Sequence, residues 1–253
     1  MSPAFVISRY VLREGKRAHL PILALLLAAI TAAGAVFVGG LAPIDGERAR
    51  LVTAAAFLRP LGSILLILHI AAMTVAEMRE QRLAMLLACG VGRAPLLLGK
   101  ALGIVAWAAF FAVGAGLTLG LLGARANLLP WSLGLFAQLT LLGLFTLAAS
   151  LALRRVTPAA LAALAFYFLA ESLTALQLMA AAASARSQWN SLADQAVSAV
   201  SWALPRFAEF GSGDWLGETA SHWGDVGRAL GQGLIYAVLL YAVALVDLYR
   251  RED

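Results

Sequence analysis

The stretch "EMREQRLAMLLACGVGRAPLLLGK", residues 77–100, interrupts a very apolar chain. It carries Glu77, Arg79, Glu80, Arg82, Arg93 and Lys100, and an apolar run longer than a membrane span lies on each side of it. If both runs cross a bilayer, the stretch is a loop on one side. The rest of the chain can then be counted outward from it.

The composition supports that reading. The chain has 253 residues, of which 62% are hydrophobic and 13% charged. Its mean hydropathy is +0.85. A soluble domain carries about 25% charged residues and about half apolar. A chain this apolar cannot cover a water-facing surface with polar groups, so the expected class is an all-α integral membrane protein.

A span needs about 20 apolar residues. Six such runs are expected, at roughly 20–42, 53–76, 101–124, 132–153, 159–184 and 232–249. They form a single transmembrane domain over 1–253. The first run is longer than a signal-peptide core and follows nineteen polar and mixed residues, so no cleavage is expected.

The basic residues set the orientation. With the N-terminus inside, Arg9, Arg13, Lys16, Arg17, Arg79, Arg82, Arg93, Lys100, Arg154, Arg155, Arg250 and Arg251 are cytoplasmic, twelve of 19. Arg48, Arg50, Arg59, Arg125, Arg186, Arg206 and Arg228 fall on the other side, in longer segments mixed with acids. The positive-inside rule then places both termini in the cytoplasm. The net charge of +5 is thereby explained by topology, and no nucleic-acid partner is expected.

Two polar segments flank the spans. Within residues 1–19, a helix over 5–17 gathers Arg9, Arg13, Lys16 and Arg17 on one arc and Ile7, Tyr10 and Val11 toward another. It reads as an interfacial helix on membrane lipid, or as a solvated basic tail. Residues 185–231 hold Trp189, Trp202, Trp215 and Trp223, and tryptophan favours the headgroup level. That segment is expected to be extracytoplasmic and to dip back as a re-entrant hairpin between spans five and six.

Catalytic machinery is not visible. There is no G-x-x-x-x-G-K-[ST], no H-E-x-x-H and no G-x-S-x-G in the chain. One cysteine, Cys89, excludes an intrachain disulfide. His19, His69 and His222 lie on three different segments, so no metal site is expected. Glu171 is the one clear mid-span acid. A charge at that depth normally faces protein or a wet cavity, so it either lines a pathway or fixes helix packing. His69 and Gln138 are weaker cases, expected as packing hydrogen bonds.

Read as a helix, 77–89 places Leu83, Leu86 and Leu87 on one stripe, with Glu77, Arg79, Glu80 and Arg82 in its first turns. Gly90 and Gly92 end it, and Pro95 starts the next helix. Such a helix is either a lever on spans two and three or a loop that only sets topology.

The stretch resembles the first cytoplasmic loop of the ABC-2 type permeases, the exporter-class membrane subunits of ABC transporters. That loop typically reads Glu, then Gly-Thr-Leu, a Leu pair, Ser-Pro-Val-Ser-Arg and Leu-Leu-Gly-Lys. Here Glu77, Leu83, Leu86, Leu87, Val91, Arg93 and "LLLGK" at 96–100 match it. Gln81-Arg82 stand in place of Gly-Thr, and Gly90 in place of the proline. The tail "ALVDLYRRED" is similar to the family's closing aromatic, two arginines and an acid. Within the family the nearest resemblance is to permeases of nitrous-oxide reductase maturation.

The resemblance implies a six-span half-transporter in the cytoplasmic (inner) membrane, exporting a substrate. It implies a second permease copy, such as a homodimer, and a separate ABC ATPase subunit. An extracytoplasmic protein is a further partner it allows. ATP and Mg would bind the ATPase, and this chain would hold no cofactor and catalyse nothing. Glu77, Arg79, Glu80, Arg82, Leu83, Leu86, Leu87 and Arg93 would form the ATPase-coupling surface. Glu171 would lie near the pathway, and Trp189, Trp202, Trp215 and Trp223 at an outer gate or partner face. The alternatives are a secondary transporter or channel without an ATPase, and a scaffold linking an ATPase to an outer partner.

Overall fold

The computed structural model describes residues 3–42, 45–82, 85, 92–125, 127–184, 205–211, 215–216 and 222–250. Among them the chain forms seven α-helices and no strand. They are α1 (Pro3–Arg17), α2 (Leu20–Leu41), α3 (Gly46–Arg79), α4 (Arg93–Leu121), α5 (Leu128–Leu153), α6 (Val156–Ser184) and α7 (Trp223–Tyr249). A short 3-10 helix spans Phe207–Phe210. The helices α2 to α7 are long and apolar enough to cross a membrane, which makes the chain a multi-pass membrane protein.

Each of α2 to α7 matches one expected span, and all but α2 begin before it. The 34 residues of α3 reach from Gly46 to Arg79, so Glu77 and Arg79 form its last turn rather than the start of a separate helix. An apolar run measures the hydrocarbon thickness, whereas a helix continues until its backbone is stopped. Here the stop is Gln81, whose φ of 55° is left-handed. That position falls where the resembled loop has glycine, the residue best suited to such a backbone. Arg82 and Met85 are helical beyond the turn, while Leu83, Leu86 and Leu87 lie outside the described residues.

The helix α5 is the centre of the bundle, packing on α3, α4, α6 and α7. The helix α2 stands at the edge, against α3 and α4. Four large α2 side chains, Ile22, Leu25, Leu26 and Phe37, are exposed, as suits a lipid-facing helix.

Close approach decides how α1 sits. Its face of Ala4, Ile7, Ser8, Val11 and Gly15 is buried. A Cβ on Gly99 would lie 2.6 Å from both Ala4 O and Ile7 Cβ, and one on Gly103 would lie 2.6 Å from Val11 Cβ. Gly15 in turn accommodates the Trp107 ring. The sequence Gly99-x-x-x-Gly103 thus lets two backbones meet, the usual use of that spacing within membranes. Increasing numbers on α1 meet increasing numbers on α4, so the two helices run side by side in the same direction. Arg9, Arg13, Lys16 and Arg17 are left on the exposed arc.

The segment before α7 also enters the bundle. Phe207 and Phe210 are fully buried, and the 3-10 helix packs on α5, α6 and α7. A Cβ on Gly134 would stand 1.6 Å from Phe210 O, so only glycine on α5 admits that carbonyl.

Candidate functional site

Two polar clusters lie on α3, at residues 59–63 and at residue 77. Arg59 follows a helical course within α3 and is 8% exposed, although the charge count groups it with the outer loops. Its Nε and Nη2 donate to Gln138 Oε1 on α5 at 3.1 and 2.6 Å. Nη2 also donates to the Phe207 carbonyl at 2.9 Å and lies 3.4 Å from Glu171 Oε2 on α6. Gln138 is fully buried and donates through Nε2 to Ser63 Oγ at 3.4 Å. One guanidinium therefore joins α3, α5, α6 and the 3-10 segment. Its planar fork of donors suits that task better than an ammonium.

Glu171 is less enclosed. Its side chain keeps 36% exposure against 9% for Arg59. It shares the open side of α6 with Phe168, which is 57% exposed. The carboxylate reaches inward to a cation and outward to whatever borders α6. Gln138 is a packing hydrogen-bond partner as expected. His69 is not, because its Nε2 is buried without a hydrogen-bond partner among the described residues, with its ring edge toward Trp107 at 6.4 Å.

The second cluster closes the base of the break between α3 and α4. Lys100 Nζ donates to Glu77 Oε2, and the two side chains are only 3% and 7% exposed. Glu77 Oε1 has no partner among the described residues. Of the other expected coupling residues, Arg79, Glu80 and Arg82 are exposed and Arg93 is half-buried. Arg82 pairs with Glu80 and donates to the Tyr10 hydroxyl of α1 at 2.8 Å. Burial pushes the Tyr10 phenol up from its ordinary pKa, and the Arg82 hydrogen bond pulls it down by less. The phenol stays neutral at physiological pH and accepts a hydrogen bond from the guanidinium. Arg93 lies over the Tyr249 ring at 5.1 Å, and Tyr241 donates to the Ala94 carbonyl at 3.0 Å, so α7 is tied to the start of α4.

The expected tryptophan face divides. Trp189 and Trp202 lie outside the described residues. Trp215 is buried, stacks on His222 at 4.6 Å and gives its carbonyl to Asn127 Nδ2 at 3.0 Å. Trp223 opens α7 and is 54% exposed.

Sequence reasoning missed Arg59 and Lys100 as buried members of pairs. A signal for Arg59 exists: in "FLRPLGS" a lone arginine sits inside an apolar run, beside Pro60. Lys100 had no comparable signal, since a lysine at a span edge usually snorkels. No group of His, Cys, Asp and Glu that would hold a metal ion occurs among the described residues. No family model matches the chain, and no curated protein matches it.

Proposed function

We propose that this chain is the membrane-spanning permease subunit of an ABC-2 type transporter, exporting a substrate with ATP hydrolysed on a separate ATPase subunit. One observation carries the reading beyond the resemblance of the loop: the helices beside the break are mechanically joined. Glu77 and Lys100 clamp α3 to α4 at its base, and Tyr10 and Arg82 connect α1 to its edge. A force applied at residues 80–92 reaches three helices together, as a coupling element requires.

In this reading 80–92 faces the cytoplasm of a cell-membrane protein and touches the ATPase with Arg79, Glu80, Arg82 and Arg93. Glu77 acts from within, through Lys100. A second permease copy completes the pathway near Glu171. The 3-10 segment is the buried tip of a re-entrant outer hairpin, with Trp215 and Trp223 at its return toward an extracytoplasmic partner.

The test is gentle extraction from the native host followed by mass spectrometry of co-purifying proteins. A stoichiometric subunit with a Walker A motif is expected. A chain that comes out intact without one would sink the reading. The Arg59–Glu171 pair favours a second reading, a secondary transporter or channel without an ATPase. Intramembrane ionisable pairs mark ion and proton paths in such proteins. Transport driven by an ion gradient in liposomes holding this chain alone would select it.

A further inference from the structure

An apolar groove of about 270 Å³ runs between α2 and α4. Its floor is Leu58, Leu135 and Leu139, all buried, while Leu25 and Leu117 at its lips are exposed. The one polar lining side chain, Thr118, spends its hydroxyl on the Gly114 carbonyl at 2.9 Å, so the wall is chemically apolar. The α4 wall extends from Phe110 to Leu121, twelve residues spanning about 16 Å. On α2 the groove begins at Ala24, one turn past Leu20, where α1 hands over to α2.

The last turns of α1 lead directly into that end of α2, on which α1 also packs. Arg13, Lys16 and Arg17 are exposed and lack an acidic partner among the described residues. They cannot rotate away, because the opposite face of α1 is seated on Gly99 and Gly103. A fixed cationic arc therefore adjoins an elongated apolar slot.

We propose that this is a binding site for an anionic phospholipid, with an acyl chain in the groove and its phosphate against Arg13, Lys16 and Arg17. A helix from a second copy would fill the slot but leave the three cations without counter-charges. A single anionic lipid satisfies both parts. The site requires only that the chain lies in a membrane and holds whichever transport reading is right.

The experiment is native mass spectrometry of the full chain in detergent, with phosphatidylglycerol and phosphatidylcholine supplied at equal mole fraction. Phosphatidylglycerol adducts are expected to dominate by at least about tenfold, since each basic residue at an anionic surface contributes roughly fivefold. The Arg13→Gln, Lys16→Gln, Arg17→Gln variant should bring the two lipids near parity. The Gly62→Leu, Gly114→Leu variant should reduce adducts of both. At either glycine an added Cβ meets no atom within 4 Å, so each new side chain starts into the slot without a backbone clash. Equal binding of the two lipids by the unaltered chain would overturn the proposal. So would undiminished adducts in both variants, or a lipid-free dimer that the glycine variant dissociates.

Discussion

Glu77–Lys100 and Arg59–Glu171 both tie α3 to a neighbour, eighteen residues or about 27 Å apart along the helix. That separation is close to the hydrocarbon thickness of a bilayer. The first pair is shut: both side chains are under 10% exposed, and two helices share it. The second is open on one side and shared more widely, because Arg59 also holds Gln138 and the Phe207 carbonyl. A shut pair can only be made or broken, and either state moves α3 relative to α4. An open pair can change partner while the guanidinium stays satisfied. The first arrangement suits a rivet, and the second suits a site that meets something outside the chain.

The shut pair should give the largest effect on breaking. Glu77→Ala leaves the Lys100 ammonium buried without its counter-charge, which costs about 3–5 kcal/mol. The variant should show a clearly lowered melting temperature in detergent. Replacing both residues, Glu77→Met with Lys100→Met, removes the charges together and should restore most of the stability. If the double variant is folded and still stimulates an ATPase partner fully, the pair is a packing device and the coupling role passes to Arg79, Glu80, Arg82 and Arg93. A single variant as stable as the unaltered chain would remove the distinction between the two pairs.

The difference between the pairs also marks what the sequence could convey. Six apolar runs specify six helices, because bilayer thickness alone sets the requirement. Helix ends were less legible, since α3 continues through Glu77 and Arg79 until the left-handed Gln81 stops it. Glu171 could be found because an acid inside "FYFLAESLTALQ" has no ordinary place there. Its partner could not be named from the chain alone. The contact joins residues 112 positions apart, and Arg59, although inside the expected 53–76 run, is grouped by charge with the outer basic residues. The seating of α1 was half legible. Its two arcs follow from helical periodicity, but the fit of Ala4, Ile7 and Val11 over Gly99 and Gly103 is a property of two surfaces together.

An intermediate effect is expected at Arg59. Arg59→Met keeps the aliphatic stem but removes the donors to Gln138 and Phe207. The change leaves two neutral acceptors, Gln138 Oε1 and the Phe207 carbonyl, without that donor, at about 1–3 kcal/mol for each one left unsatisfied, but it strands no buried charge, since Glu171 is more than a third exposed. The melting temperature should fall less than for Glu77→Ala. Proteolysis should become faster around residues 205–211, because the carbonyl that anchors this segment loses its donor. Unchanged protection there would show that Phe207 and Phe210 hold the segment by burial alone, and that Arg59 serves the α5 and α6 contacts.

The smallest stability effect is expected at Glu171, and it separates the two pairs most sharply. The carboxylate is 3.4 Å from Arg59 and more than a third exposed, so Coulomb attraction contributes little and Arg59 keeps its shorter bonds to Gln138 and Phe207 when the charge is lost. Glu171→Gln should therefore change stability by about 1 kcal/mol or less, in the range of exposed ion pairs. Transport should nonetheless fall if the carboxylate borders the pathway, because a side chain 36% exposed keeps part of its surface open beyond the Arg59 contact. In a Cys89→Ser background, Glu171→Cys should react with a small water-soluble thiol reagent, and, if the proposed ATPase partner exists, the rate should change when that partner is supplied with ATP. A variant that is strongly destabilised, transports normally when folded and resists the reagent in every nucleotide state would make Glu171 a second rivet. The two pairs on α3 would then differ only in how much of each the surrounding helices cover.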